Sequence, residues 1–424
     1  MSDYKESGFE WLGEVSIDWK VNRVGRYFNE RKQKVDDISY PPLSVTMSGV
    51  TNQLSHVAKS DDGDNRKLVK KDDFVINSRS DRKGSSGIAP RDGSVSLINI
   101  VLEPKGLYPS FSQYLFKSYY FIEEYFRNGK GIHFDLWTTG WNKLKNIYIP
   151  VPPLEKQKLI SRYLDKKTEQ INRLVEKIQK KVELLKEQRI SLINQCVTKG
   201  LDPNVEMKDS GIEWIGEIPR HWSLKKVTHI THMIGSGTTP KSDNKDYYKD
   251  GHINWLVTGD LNDDYILQTS NKVTQKALDE LSSLKIYPEN SLLIAMYGAT
   301  IGKLGILKTE TTVNQATSVL KFNDSNSVDF WFYVFLSNRN YLISLGYGGG
   351  QPNISQDVIK GLRFPSPPTL DEQSRIVNKI RLTLSNHDRI INVENTRIKL
   401  LKEYSQSLIS SVVTGKLRVT KDML

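Results

Sequence analysis

The chain has few of the residues from which metal, thiol or membrane chemistry is built. Its one cysteine, Cys196, excludes an internal disulfide and a cysteine-based zinc site. The 7 histidines are scattered; His221, His229 and His232 lie near one another, but no third ligand joins them, so no metal is expected. Long apolar runs are missing as well. The run Trp331 to Leu336 reads as a core-helix fragment, far short of a membrane span. The opening Met-Ser-Asp-Tyr-Lys-Glu lacks the basic and apolar regions of a signal peptide, so the expected compartment is a reducing cytoplasm. Helix breakers are absent too: no proline or glycine stands between Glu155 and Thr198, or between Asp371 and Thr414.

Basic residues, by contrast, are in excess. Lys+Arg number 60 against 49 Asp+Glu, a net charge of +11 over 424 residues. That length predicts two or more domains, and 38% hydrophobic residues suit a soluble globular protein. The charge favours a polyanionic partner, nucleic acid first and an anionic membrane second, although plain solubility accounts for the same number.

The sequence is written twice. Ser7-Gly8-Phe9-Glu10-Trp11-Leu12-Gly13-Glu14-Val15, with Trp19 beyond it, returns as Ser210-Gly211-Ile212-Glu213-Trp214-Ile215-Gly216-Glu217-Ile218 with Trp222. Ile149-Pro150-Val151-Pro152-Pro153-Leu154-Glu155-Lys156-Gln157 returns as Phe364-Pro365-Ser366-Pro367-Pro368-Thr369-Leu370-Asp371-Glu372-Gln373. Leu185-Lys186-Glu187 and Val197-Thr198 match Leu401-Lys402-Glu403 and Val413-Thr414. The period is too long for a solenoid. Each half is a globular segment followed by a helix, and between the shared blocks residues 29–128 and 236–347 align poorly. A fixed frame with two different inserts predicts two related readers with different targets. The four repeated tryptophans read as core.

After each Pro-Pro, acidic residues suit the positive end of a helix. In the first helix Leu164, Ile171, Ile178, Leu185 and Leu192 recur every seven residues. In the second, Leu384, Ile391 and Ile398 form one stripe and Leu401 and Leu408 another, with His387 and Glu394 as imperfect seam positions. Such heptads predict an intramolecular coiled coil. About 44 residues at ~1.5 Å each would make a rod of about 65 Å, long enough to hold two readers more than one DNA turn apart. The expected organisation is a reader at 1–150, a helix at 151–200, a second reader at 201–368 and a second helix at 369–424. The helical stretches 155–199 and 371–418 carry +6 and +4 of the net charge. That charge fits spacer phosphates or an acidic partner, and a solvated coiled-coil face fits it equally.

These blocks resemble the specificity (S) subunits of type I restriction–modification systems. The similarity extends through Gly235-Ser236-Gly237-Thr238-Thr239-Pro240-Lys241, Ile253 to Leu261, Met296 to Lys303 and Gln351-Pro352-Asn353-Ile354-Ser355, and so covers essentially the whole chain. The resemblance implies two α/β (α+β) target-recognition domains separated by antiparallel coiled-coil helices about a pseudo-two-fold axis. It implies double-stranded DNA as ligand, two methyltransferase subunits and restriction subunits as partners, and no catalysis in this chain. S-adenosylmethionine, ATP and Mg²⁺ would belong to the partners. The first insert departs from the pattern, carrying Asn77 to Gly87 with Arg79, Arg82 and Lys83 instead, so its contacts transfer less directly.

Four look-alikes of catalytic motifs read as structural. Ser366-Pro367-Pro368 lacks the following aromatic of a base-flipping methyltransferase loop. Gly298 to Lys303 is one residue short of a phosphate loop, with Leu304 where Ser or Thr should hold Mg²⁺. Asp92 with Glu103 and Lys105 mimics a nuclease, but Arg91 and Pro104 interrupt it. The histidines have no ligand spacing. A stand-alone pseudo-dimeric DNA-binding regulator is the alternative reading, and a metal-dependent endonuclease a weaker one.

Base edges favour Arg for guanine and Asn or Gln for adenine, and phosphates favour Lys, Arg or amides. Arg79, Arg82 and Lys83 lie in a Ser/Gly-rich loop between apolar strands and are the first candidates. Lys130, His133, Asn142 and Lys143 near the exit of the first reader are the next. In the second reader the candidates are Thr238, Thr239, Lys241, Gln351 and Asn353, the last two following a glycine triplet.

Overall fold

The computed structural model describes residues 4–53, 63–130, 137–347 and 353–424. The chain divides into two compact units, one of residues 1–179 with 395–424, the other of residues 180–394.

The first unit is built on strands β1 (Lys20–Arg23), β2 (Phe28–Glu30), β3 (Arg66–Val69), β4 (Phe74–Asn77), β5 (Ser86–Ile88), β6 (Gly93–Val95) and β7 (Asn99–Pro104). Four of them form an antiparallel sheet in the order β5-β4-β7-β2, with Val75 opposite both Gly87 and Val101. Strand β4 reads Phe-Val-Ile-Asn and is buried at every position, as aromatic and β-branched residues covered on both faces must be. One face, with Phe74, Ile76 and Leu102, packs on helices α1 (Pro109–Lys117) and α2 (Tyr119–Arg127) through Phe111, Phe116 and Phe121. The other face, with Val75 and Val101, joins Val69 and Val95 from β3 and β6. After the one-turn helix α3 (Trp141–Leu144), strand β8 (Tyr148–Val151) returns antiparallel to β1, and Pro152-Pro153 ends it before the 46-residue helix α4 (Leu154–Lys199).

The second unit repeats the plan with β9 (Ser223–Lys226), β10 (Thr231–Gly235), β11 (Ile253–Leu256), β12 (Asp264–Ile266), β13 (Leu292–Ala295), β14 (Leu304–Leu307), β15 (Thr311–Val313) and β16 (Thr317–Phe322). Its main sheet runs β10-β16-β13-β14-β12, antiparallel except for the parallel β14–β12 pair. Helix α5 (Val328–Ser337) covers it, β17 (Arg363–Ser366) pairs with β9, and the 44-residue helix α6 (Leu370–Val413) follows. The inserts that align poorly in sequence therefore share a backbone frame. Strands β4 to β7 begin 218 residues before β13 to β16 in turn, and the sheet neighbours correspond.

The repeated blocks have local reasons. In each opener a short turn closes on itself, Ser7 N donating to Gly13 O and Ser210 N to Gly216 O, both at 3.0 Å. The repeated glutamine is a buried strut. Gln157 Oε1 accepts from Tyr108 N at 2.8 Å just before α1, and Gln373 Oε1 accepts from Ser327 N at 2.8 Å just before α5. Each thus satisfies an orphan donor at a helix start. Trp19 and Trp222 are core, as their repetition suggests, but Trp11 is only half-buried, and Trp214 is 39% exposed and stacked on Tyr341.

Within the second unit the two long helices run antiparallel, with Lys181 Nζ 2.6 Å from Glu394 and Arg189 Nε 3.5 Å from Asp388. Within the first, Ile160 and Leu164 share a core with Leu408 and Val412. Leu164, Ile171, Ile178, Leu384 and Leu408 are buried, and Leu185, Leu192, Ile391, Ile398 and Leu401 are half-buried. Glu394 is 7% exposed in the seam, where the Lys181 ammonium offsets its desolvation. His387 Nδ1 lies 3.0 Å from Thr383 O, a contact within its own helix.

Cys196 is half-buried beside the second core, and burial pushes its thiol up from the ordinary cysteine range. We expect the native protein to react with a disulfide reagent at pH 8 more slowly than the unfolded chain, because only thiolate attacks. Equal rates would contradict this placement.

Candidate nucleic-acid interface

In the first unit the loop from β4 to β5 holds a single 3-10 turn, Ser80–Arg82. Two other segments meet it. Ser78 Oγ donates to Ile98 O at 2.6 Å, and Ser78 O accepts from Thr139 N at 2.9 Å. Thr138 in turn exchanges backbone hydrogen bonds with Lys130, at 3.0 and 3.1 Å, and bridges Arg79 on its other side. Arg79 and Lys130, far apart in sequence, therefore flank one residue. Buried Tyr125 anchors the junction from below, its hydroxyl donating to Thr139 O at 2.8 Å, and burial raises its pKa.

The candidate cations divide by environment. Arg79 and Lys130 are exposed, and neither side chain has an ion pair among the described residues. Arg82 is 68% exposed, with Asp81 at 3.6 Å. Lys83 turns back into the fold, 2.7 Å from Glu123 and 4.4 Å above the Phe126 ring, so it braces the loop. Gly84, at φ +80, makes the left-handed turn into β5, and Gly302, at φ +76, makes the same turn into β14. Asn142 and Lys143 are exposed on α3, and the residues after them lead to a second group of cations. Lys145 O accepts from Gly25 N at 2.9 Å there, bringing Arg23, Arg26 and Lys145 together around Tyr148. Sequence reasoning missed this basic shelf; its signal was basic residues at 23, 26, 143 and 145 on two segments that pair only in the fold. His133 lies outside the described residues.

The second unit has the same junction. Met296 N donates to Ala316 O and Met296 O accepts from Ile354 N, at 2.8 and 2.9 Å. Asn353 exchanges two backbone hydrogen bonds of 3.0 Å with Tyr347 and bridges Tyr297 on its other side. Neither tyrosine was singled out from sequence. Thr239 Oγ1 donates to Gln315 Oε1 at 2.6 Å, which joins the Thr238–Lys241 segment to this edge, and Lys241 is exposed. Thr238 O accepts from Trp255 Nε1 at 3.2 Å. The glycine before these threonines is obligatory: a Cβ on Gly237 would stand 1.7 Å from Val313 O. Gln351 lies outside the described residues.

Other charged groups are spent internally. A cleft of about 300 Å³ in the second unit is lined by Arg189, Tyr265, Asp329, Tyr333 and Arg381 among others. Arg381 pairs with Asp329 at 2.7 Å, and the Tyr265 hydroxyl donates to Asp329 at 2.6 Å; burial first and Asp329 second push that phenol up to about 12. The nuclease look-alike separates in the same way. Glu103 is held by Arg31 at 3.0 Å, whereas Asp92 accepts from Lys71 N at 2.8 Å. Among the described residues no three His, Cys, Asp or Glu side chains gather as a metal site, and no helix is long and apolar enough to cross a membrane.

A frame made twice, presenting different side chains at one junction, defines a duplicated recognition protein. The chain belongs to the type I restriction modification DNA specificity domain family, whose sequence profile matches residues 19–184 and 219–403. It is 25% identical over 458 residues to the type I restriction enzyme MjaVIII specificity subunit of Methanocaldococcus jannaschii, covering 99% of this chain and 98% of that one. It is 23% identical over 290 residues to the EcoBI specificity subunit of Escherichia coli, covering 65% and 59%. A solved chain from a study of type I R-M complex assembly and conformational transition superposes with a TM-score of 0.70 at 15% identity, covering 95% of this chain and 99% of that one. The HsdS subunit of Thermoanaerobacter tengcongensis superposes with a TM-score of 0.51 at 16% identity, covering 95% and 98%.

Proposed function

We propose that this chain is the DNA-reading subunit of a type I restriction–modification complex. Each unit reads one half of a bipartite duplex target and presents it to methyltransferase and restriction partners. The observation that carries the reading is the junction built twice at matching positions with different outward residues: two copies of one device directed at two sequences. In this proposal the long helices set the length of the unread gap. S-adenosylmethionine, ATP and Mg²⁺ act in the partners, and this chain performs recognition only.

Methylome sequencing of a host expressing the chain with its cognate methyltransferase tests the reading. The expected result is a methylated motif of two fixed halves separated by a gap of constant length, lost when this chain is deleted. A chain that captures no methyltransferase, or methylation that persists without it, would leave the regulator as the better description.

A further inference from the structure

Resting on that reading, we infer that Tyr297 and Tyr347 are specificity-determining residues of the second unit. They occupy the places that Arg79 and Lys130 hold in the first. The correspondence is made by the backbone. Ser78 and Met296 each donate their N–H to the loop before the last sheet strand, at Ile98 O and Ala316 O, and these paired positions lie 218 residues apart. Each also accepts one bond from the returning segment, from Thr139 and Ile354. The bridging residue is Thr138 in the first unit and Asn353 in the second, each between the same two neighbours.

The side chains at these places are unlike. The first junction presents two cations, the second two phenols, 38% exposed at Tyr297 and 60% at Tyr347. Neither tyrosine ring nor hydroxyl has a partner among the described residues, although most aromatics of this unit, such as Trp214 on Tyr341, are packed. A tyrosine offers the major groove an apolar ring edge for a thymine methyl, and a hydroxyl for a base edge or phosphate, with no charge. The two halves of the target are thus read by different physics. Charged contacts at Arg79 and Lys130 release counterions and weaken with salt, whereas contacts from Tyr297 and Tyr347 do so far less.

The test uses the full chain with its cognate methyltransferase, comparing wild type with Tyr297→Ala, Tyr347→Ala and Tyr297→Arg by methylome sequencing and thermal melting. The alanine variants are expected to relax one half of the motif about tenfold or more while the other half stays fixed. Tyr297→Arg, which keeps a long side chain at an exposed site, is expected to melt with the wild type and yet prefer a changed base in that same half. Alanine variants that keep the wild-type motif, or that relax both halves equally, overturn the inference. So does a Tyr297→Arg protein of unchanged motif and melting temperature. A wild-type chain that directs no bipartite methylation would instead overturn the functional reading beneath it.

Discussion

Replacing Arg79 and Lys130 together by alanine is expected to erase discrimination at one half-site and leave the other intact. Arg79 leaves the loop at a bridge to Thr138 and is exposed. A bidentate guanidinium on a guanine edge contributes about 1–3 kcal/mol of discrimination, so its loss lowers the preference for that base roughly five- to 150-fold. Lys130, a point charge on the other side of Thr138, suits a phosphate. Its loss should weaken binding alike for all sequences and flatten the salt dependence by about one contact. Comparing methylation of the cognate site with single-base variants at two salt concentrations separates the contributions. Lys83→Ala is the contrast: it removes the brace to Glu123 and should lower stability more than it alters the motif. A double variant that methylates the original motif with undiminished selectivity would refute the assignment.

Trp222→Ala is expected to destabilise the second unit by about 3–5 kcal/mol, the usual cost of deleting a buried tryptophan. The indole is 1% exposed, lies over Gly200 at the end of α4, and donates to Glu372 Oε1 at 2.9 Å near the start of α6. Its removal empties a site lined by both helices of the unit and takes the indole donor from the Glu372 carboxylate, which also faces His221. At about 2–4 °C per kcal/mol, a calorimetric transition should fall by on the order of 10 °C. Trp214→Ala, at an exposed position that meets Tyr341 face-on and Phe364 edge-on, should cost less. A fall below about 2 °C for Trp222→Ala would mean that the repeated tryptophan is not structural.

The duplicated openers, the proline exits and the long helices were legible because each depends on local chemistry: a tight turn, a missing amide hydrogen, a seven-residue stripe. The common frame of the inserts was not. Its strands bury Phe74-Val75-Ile76 in one copy and Leu292-Leu293-Ile294 in the other, and packing accepts either set. The spacing between β2 and β4 also differs from that between β10 and β13, which breaks the alignment before the matching strands begin. Lys83 looked like a reader because its partner, Glu123, stands 40 residues away and meets it only in the fold. Tyr297 and Tyr347 were passed over for the opposite reason. Composition favours counting charge, and neither position carries any, so only the bridges through Asn353 set them beside the first unit's cations in role.

Residues 180–394 form one uninterrupted stretch, while the other body is assembled from both chain ends. The reading strands of that other body nevertheless all lie between Lys20 and Val151, and its second segment supplies only the end of α6 and the residues after it. Each reading head is therefore a single block of gene, so one replacement can exchange either half of the target and leave the other half as it was.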